Sequence, residues 1–180
     1  MRIRATQSTL LIIDIQERLL PAILEGASMI EHTAWLQQIA GRVGVPTLIT
    51  EQYSKGLGPT VPVLREGVEA NLILEKMDFS SAADGELFKR PGGERPQFVV
   101  CGCETHVCVM QTVLDLLTHG NQVFVVEEAV SSRRASDKEL ALQRMRQAGA
   151  QIVSREMVAF EWMERAGTEL FKSISREFIR

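Results

Sequence analysis

The sequence predicts an α/β protein in which helices cover both faces of a six-stranded, mainly parallel sheet. Two observations lead to this fold class. Six short apolar runs are continuous rather than alternating, which is typical of parallel strands covered on both faces. These runs alternate with helical patterns along all 180 residues, and alternating βα units favour a parallel sheet between two helical layers. No linker or internal repeat interrupts the pattern, so residues 1–180 are expected to form a single domain.

The elements follow one another in a regular order. Strands are expected at 9–13, 46–50, 72–76, 98–102, 122–126 and 151–154, and helices at 28–43, 105–119, 136–148 and 156–180. Ser28 and Glu31 match a capping box at the start of the first long helix, which Gly44 ends, and Ser136 and Glu139 match one at the start of the third. The last helical stretch is expected to break near Gly167.

The composition excludes several classes of function. A formal net charge of −3 and a pI near 5.7 leave no basic surface for nucleic acid. No apolar stretch reaches the roughly 20 residues of a membrane span, and the first four residues are too short a start for a signal peptide. The three cysteines all lie between positions 101 and 108, and this odd, clustered set indicates a cytoplasmic location and a functional site rather than disulfide bonds.

Three chemically distinct side chains follow three of the predicted strands. Asp14 follows the first strand, Lys76 ends the third, and Cys108 lies one turn into the helix after the fourth. The carboxyl ends of parallel strands share one edge of a sheet, so these side chains can meet in one crevice. Each also has a simpler interpretation: Asp14 as a turn residue, Lys76 as a solvent-facing side chain, and Cys108 as a small core residue.

Three segments resemble the signatures of the isochorismatase-like cysteine hydrolases, in the same order and spacing. They are residues 12–16 (IIDIQ), 76–80 (KMDFS) and 101–109 (CGCETHVCV). Residues 51–60 and 129–133 are similar to a subgroup of small, stand-alone isochorismatase-domain proteins. The resemblance implies a Rossmann-like three-layer αβα fold, a catalytic triad of Asp14, Lys76 and Cys108, and a non-proline cis peptide between Cys103 and Glu104. It also implies a homo-oligomer, a dimer or larger.

These residue types suit a cysteine hydrolase that forms an acyl-enzyme. The Lys76 ammonium and the helix N-terminus are expected to lower the pKa of the Cys108 thiol. Asp14 would take the thiol proton and return it to a leaving amine, while the N–H groups of Glu104 and Cys108 would bind the oxyanion. We expect hydrolysis of a small amide, imide or carbamate, because the vinyl ether cleavage that names the family needs no nucleophilic cysteine.

Two other classes of function compete with this interpretation. One is a catalytically idle relative that serves as an interaction scaffold, which an intact set of Asp14, Lys76 and Cys108 disfavours. The other is a nucleotide-binding module, which the lack of a glycine-rich phosphate loop disfavours.

Loops after the strands are expected to form the walls of the substrate pocket. The candidates are Gln16, Leu19, Glu51, Gln52, Tyr53, Phe79 and His106, of which Leu19 and Phe79 could equally belong to the core. This small and mixed set suits a small-molecule substrate rather than a peptide.

No metal and no cofactor is expected. Some relatives hold a metal through an Asp and His residues after the second strand, but this chain has Glu51, Gln52 and Tyr53 there without a nearby His. Cys101, Cys103, His106 and Cys108 lack the spacing of a zinc site.

The C-terminal stretch holds many large apolar side chains for a terminal segment, which independently indicates a subunit interface. They are Val158, Phe160, Trp162, Met163, Leu170, Phe171, Ile174, Phe178 and Ile179.

Overall fold

The structure, a computed structural model, describes residues 1–179, and within them six strands form one sheet in which every neighbouring pair is parallel. The strands are β1 (Ser8–Ile13), β2 (Thr47–Gln52), β3 (Ile73–Lys76), β4 (Gln97–Cys103), β5 (Gln122–Ser131) and β6 (Gln151–Val153). Their order in the sheet is β3-β2-β1-β4-β5-β6. The predicted fold class, a three-layer αβα arrangement around a six-stranded sheet, is confirmed.

Helices pack on both faces of this sheet. They are α1 (Gly26–Val43), α2 (Ser54–Leu57), α3 (Pro62–Arg65), α4 (Met110–Thr118), α5 (Ala135–Ala148), α6 (Arg155–Met163) and α7 (Glu169–Ile174). The predicted helix at 105–119 consists of a π-helical turn over Thr105–Val109 that runs directly into α4. Among the described residues, no helix has both the length and the apolar character that crossing a bilayer requires.

The central strand β1 is apolar at four consecutive positions, Leu10 to Ile13, because both of its faces are covered. Leu10 and Ile12 belong to the core under α1, α6 and α7, whereas Leu11 and Ile13 belong to the core under α4 and α5. Successive side chains of a strand point to opposite faces, so a strand covered on both sides carries consecutive apolar residues.

The predicted capping boxes do not form. α1 begins at Gly26 after Glu25, whose φ of 50° is left-handed, and no side chain caps it, so Ser28 already lies inside the first turn. α5 begins at Ala135 after an extended Arg134, again without a side-chain cap. For α1 the reason is tertiary: the preceding loop is held where the Leu24 N–H donates to the carbonyl of Ser132 at 3.0 Å.

The chain turns in opposite directions from the middle of the sheet. After β1 it builds β2 and β3 on one side, and after β4 it builds β5 and β6 on the other. The carboxyl ends of β1 and β4 therefore flank the switch point where open α/β sheets form a crevice. Close contact between these strands requires Gly102, because a Cβ there would lie 2.5 Å from the carbonyl oxygen of Ile13.

The C-terminal stretch folds back on α1. Val158, Trp162, Met163 and Ile174 are buried, and the predicted break is confirmed, since α6 ends before Gly167 and α7 begins after it. Three more of the nine large apolar residues, Phe171, Phe178 and Ile179, are partly buried. Phe160 and Leu170 remain 44% and 40% exposed.

Candidate active site

Asp14, Lys76 and Cys108 meet at the carboxyl edge of the sheet. Asp14 directly follows β1, Lys76 is the last residue of β3, and Cys108 lies in the π-helical turn after β4. All three are buried, and both Asp14 and Lys76 act on the Cys108 thiol through their charges and through hydrogen bonds. The simpler interpretations of Asp14 as a surface turn residue and of Lys76 as a solvent-facing side chain are thereby excluded.

The Asp14 carboxylate is fixed by two donors. Its Oδ1 accepts a hydrogen bond from Thr50 Oγ1 at 2.7 Å, and its Oδ2 accepts one from Lys76 Nζ at 2.8 Å. The Asp14 backbone has a φ of 54°, a left-handed conformation that aspartate tolerates better than most residues. Sequence reasoning missed Thr50, although its position near the end of β2, next to β1, was a usable signal.

The Lys76 ammonium lies among four oxygen acceptors. Besides Asp14, it donates to Gln52 Oε1 at 2.6 Å, to the carbonyl of Phe79 at 3.0 Å and to the carbonyl of Asp78 at 3.2 Å. Only acceptors surround it, so the protonated amine with three N–H donors is the form that fits the site. Lys76 thus supplies a fixed positive charge beside Cys108.

The Cys108 thiol differs from the sequence expectation. Burial and, to a lesser degree, the negative charge of Asp14 raise its pKa to about 12, and the ammonium of Lys76 opposes both without overcoming them. The expectation of a depressed pKa is therefore wrong for the resting protein. The thiol keeps its proton until a base removes it, and Asp14 is the carboxylate in hydrogen-bonding contact with it.

The thiols of the other two cysteines are less accessible to solvent than the Cys108 thiol. Cys101 and Cys103 are fully buried, and burial is the main cause that raises the pKa of each thiol. All three cysteines are free thiols.

The turn before Cys108 contains no cis peptide. The described residues have none, so the expected cis bond between Cys103 and Glu104 is a trans bond, and that expectation is corrected. The chain instead leaves β4 through a left-handed Glu104, with φ 54° and ψ 66°. The left-handed φ and ψ of this residue turn the chain out of the sheet without a cis bond.

Backbone donors are available in the same turn. Among the described residues, the N–H groups of Glu104, Thr105 and His106 donate to no protein acceptor, as is usual for the first turn of a helix. π-Helical turns are often found at functional sites. The turn can therefore present N–H donors to an anionic atom beside Cys108.

The Glu104 side chain belongs to a polar cluster on the β5 side of the turn. Its Oε1 lies 2.5 Å from Arg133 Nε, and its Oε2 lies 3.2 Å from His106 Nδ1. His106 Nδ1 also lies 3.0 Å from Ser132 Oγ. His106 is thus tied to the rim of the turn, beside the triad rather than within it.

The remaining predicted pocket residues differ in their exposure and in their hydrogen bonds. Tyr53 and Phe79 are about half exposed and lie beside Lys76 at the mouth, with Tyr53 N–H donating to the carbonyl of Lys76 at 3.0 Å. Gln16 is fully buried and its amide bonds only to backbone groups, and its place in the pocket wall stays a prediction. Leu19 packs partly against the core, and Gln52 bonds to Lys76.

Glu51, the other carboxylate at the end of β2, holds a loop rather than a metal. Its Oε1 accepts a hydrogen bond from the Thr60 N–H at 2.8 Å and lies 3.3 Å from Arg65 Nε. In residues 1–179, no group of three or more His, Cys, Asp and Glu side chains is placed to hold a metal ion. Independence of metal remains a prediction.

Comparison with known proteins agrees with this geometry. Residues 8–157 match the isochorismatase domain family. The chain is 38% identical over 177 residues to isochorismatase domain-containing protein 2A of Mus musculus, which covers 97% of this chain and 84% of that protein. A solved structure described as the MAR1 ribonuclease of Caenorhabditis elegans has a TM-score of 0.86 and 36% identity, with 98% of this chain and 91% of that chain covered.

A more distant structure shares the fold. The ycaC gene product of Escherichia coli, described as an octameric hydrolase of unknown specificity, superposes with a TM-score of 0.87 at 23% identity over 99% of this chain and 91% of that one. The family match and the relatives at 36–38% identity extend over most of the chain. This chain is therefore a member of the isochorismatase domain family, whose proteins are generally hydrolases.

Proposed function

We propose that this protein is a cysteine-dependent hydrolase of small amides, imides or carbamates. The observation that supports it most is the convergence of Asp14 and Lys76 on the Cys108 thiol at the switch point of the sheet. A nucleophile, a proton acceptor and a fixed cation in mutual contact are the parts of a nucleophilic acyl transfer site.

In the first half of the proposed reaction, the substrate acylates Cys108. Asp14 takes the thiol proton as the sulfur attacks the carbonyl carbon, so that charge forms on sulfur only when the substrate is in place. Lys76 stabilises the developing thiolate. The N–H groups of Glu104 and Cys108 stabilise the oxyanion, a role for which one donor typically contributes about 3–4 kcal/mol. When the C–N bond breaks, Asp14 gives the proton to the leaving nitrogen.

Water completes the proposed cycle. Asp14, again a carboxylate, takes a proton from a water molecule as its oxygen attacks the thioester carbon. The C–S bond then breaks, and the Cys108 sulfur recovers a proton from Asp14. For an amide substrate, the sum is one water consumed, one acid and one amine formed, and the resting site restored.

The character of the mouth supports a small, largely uncharged substrate. The two charges at the centre, Asp14 and Lys76, are paired with each other. Three large apolar or aromatic side chains in the segments next to Lys76 are exposed, namely Tyr53, Met77 and Phe79 at 49%, 69% and 52%, with the exposed Asp78 between the last two. Such a rim favours a planar or apolar acyl group over a highly charged one.

Two other activities are less well supported. The similar structure from Caenorhabditis elegans is described as a ribonuclease, but a net charge of −3 is unfavourable for binding a polyanion. An idle scaffold would have no need of a buried ion pair in contact with a thiol. We further propose a homo-oligomer and a reducing, cytoplasmic location, which three free thiols favour.

A substrate screen tests the proposal. Small amides, imides and carbamates are offered to the wild type and to Cys108→Ala, and an RNA oligonucleotide is included. We expect turnover of at least one acyl compound by the wild type and none by Cys108→Ala. Turnover that persists in Cys108→Ala, or cleavage of RNA alone, would contradict the proposal.

A further inference from the structure

The side-chain amide of Gln52 makes two hydrogen bonds, both to the segment that carries Lys76. Its Oε1 accepts from Lys76 Nζ at 2.6 Å, the shortest of the four contacts of that ammonium. Its Nε2 donates to the carbonyl of Met77 at 2.8 Å. Because only the amide nitrogen can donate to a carbonyl, the amide oxygen must face the ammonium.

The backbone of Gln52 is held by a second glutamine. The Gln16 side chain accepts from the Gln52 N–H at 2.8 Å, donates to the Gln52 carbonyl at 3.0 Å and donates to the Gly58 carbonyl at 2.7 Å. Gln16 is fully buried and follows Asp14 by two residues. The contacts thus form a closed ring from Asp14 through Gln16, Gln52 and Lys76 back to Asp14.

We propose that Gln52 is a positioning residue that directs the Lys76 ammonium toward Asp14 and the Cys108 sulfur. This inference rests on the proposed cysteine hydrolase function. A lysine side chain has several freely rotating bonds, and a compact ammonium carries no direction of its own. Gln52 makes the shortest of the four contacts of the ammonium and, together with the carbonyls of Asp78 and Phe79, fixes the position of the charge beside Asp14.

The test uses a reaction that needs no substrate turnover. Gln52→Met keeps the length of the side chain and removes both amide bonds. The rate at which iodoacetamide alkylates Cys108, followed by peptide mass spectrometry across a range of pH, measures how well Lys76 stabilises the thiolate. We expect the profile to move to higher pH and the rate at neutral pH to fall about tenfold, the effect of one hydrogen bond to a charged group.

A glutamine elsewhere in the fold provides a matched control. Gln37 in α1 donates from Nε2 to the carbonyl of Leu64 at 2.9 Å, away from the triad. Gln37→Met should leave the alkylation profile unchanged. If Gln52→Met does not fold, Gln52→Ser removes the same acceptor without bulk and should show the same shift. Where a substrate is found, Gln52→Met should lower kcat and leave KM unchanged.

A double-mutant cycle separates positioning from a general structural effect. If Gln52 acts through Lys76, Gln52→Met should have no further effect on alkylation in a Lys76→Met background. A wild-type profile for Gln52→Met, or an equal loss in both backgrounds, would overturn the proposal. If the Gln52→Met profile shifts but the wild type hydrolyses none of the substrates, the positioning role stands and the proposed function is wrong. If the wild type hydrolyses a substrate but the Gln52→Met profile does not shift, the proposed function stands and the positioning role is wrong.

Discussion

Lys76 donates a hydrogen bond to Asp14 at 2.8 Å even though β2 lies between their strands. Only a long side chain can cross the end of a strand in this way. The side chains of Lys76 and Asp14 are 3% and 0% exposed, so water cannot replace either partner. Each charge therefore depends on the other.

Loss of this pair should destabilise the fold. We expect Lys76→Met to lower the free energy of unfolding by about 3–5 kcal/mol, because it leaves the Asp14 carboxylate buried without its cation. Urea unfolding followed by tryptophan fluorescence measures the change. The control is Lys89→Met, since Lys89 pairs with Glu86 in an exposed position, where ion pairs contribute little. Equal midpoints for Lys76→Met and the wild type would contradict the buried pair.

Thr50 should matter for the orientation of Asp14. Thr50→Val keeps the shape of the side chain and removes the donor to Asp14 Oδ1, with both residues fully buried. We expect a loss of about 1–3 kcal/mol of stability from the unsatisfied carboxylate oxygen, together with slower hydrolysis. Thr118→Val is the control, because its hydroxyl bonds only to Leu114 of its own helix. Hydrolysis at the wild-type rate by Thr50→Val would show that Asp14 does not need this donor.

The buried thiols should make the fold sensitive to alkali. Burial raises the pKa of Cys101, Cys103 and Cys108 above the ordinary value of 9.0. The unfolded chain then loses thiol protons at a lower pH than the folded protein. The contribution of the buried thiols to the free energy of unfolding is therefore complete below about pH 9, and it declines as the pH rises through the pKa values of the folded protein.

The free energy of unfolding is expected to fall by about 1.4 kcal/mol per pH unit for each thiol. Urea titrations at a series of alkaline pH values measure it. Cys101→Ala is the comparison, since it removes one buried thiol outside the triad. Above about pH 9, the free energy of unfolding of Cys101→Ala should fall less steeply with pH than that of the wild type, by about 1.4 kcal/mol per pH unit. Identical slopes would refute the raised pKa of Cys101.

The mouth of the site indicates assembly. Tyr53, Met77 and Phe79 are exposed in the segments next to Lys76, and large apolar side chains grouped on a surface usually mark an interface. We expect light scattering to give at least twice the chain mass of 20.1 kDa at micromolar concentration. A monomer mass across that range would rule out a stable homo-oligomer.

The sequence predicts where Asp14, Lys76 and Cys108 lie in the fold, but it does not predict the pKa of the Cys108 thiol. Asp14, Lys76 and Cys108 were identified because parallel strands end at one edge of a sheet. The pKa of Cys108 was not, because the sequence shows a cation and a helix start but not how deeply the sulfur is buried. In the structure, burial and Asp14 outweigh Lys76.

The hydrogen bonds around Gln16 and Ser28 were not predicted from the sequence for a related reason. Gln16 follows β1 and has the composition of a pocket residue, yet its amide turns inward to satisfy the backbone of Gln52 and Gly58. Ser28 has the spacing of a helix cap, yet α1 starts earlier. In each case tertiary hydrogen bonds, which no local pattern encodes, decided the outcome.

In the proposed reaction, Cys108 attacks an acyl carbon. The most direct test is to mix the protein with 4-nitrophenyl acetate, stop the reaction early and map the acyl group by peptide mass spectrometry. We predict a thioester on Cys108 that hydroxylamine removes and that is absent from Cys108→Ala. An acyl group found on Lys76 or another residue, with Cys108 unmodified in a protein that still releases nitrophenol, would contradict the account.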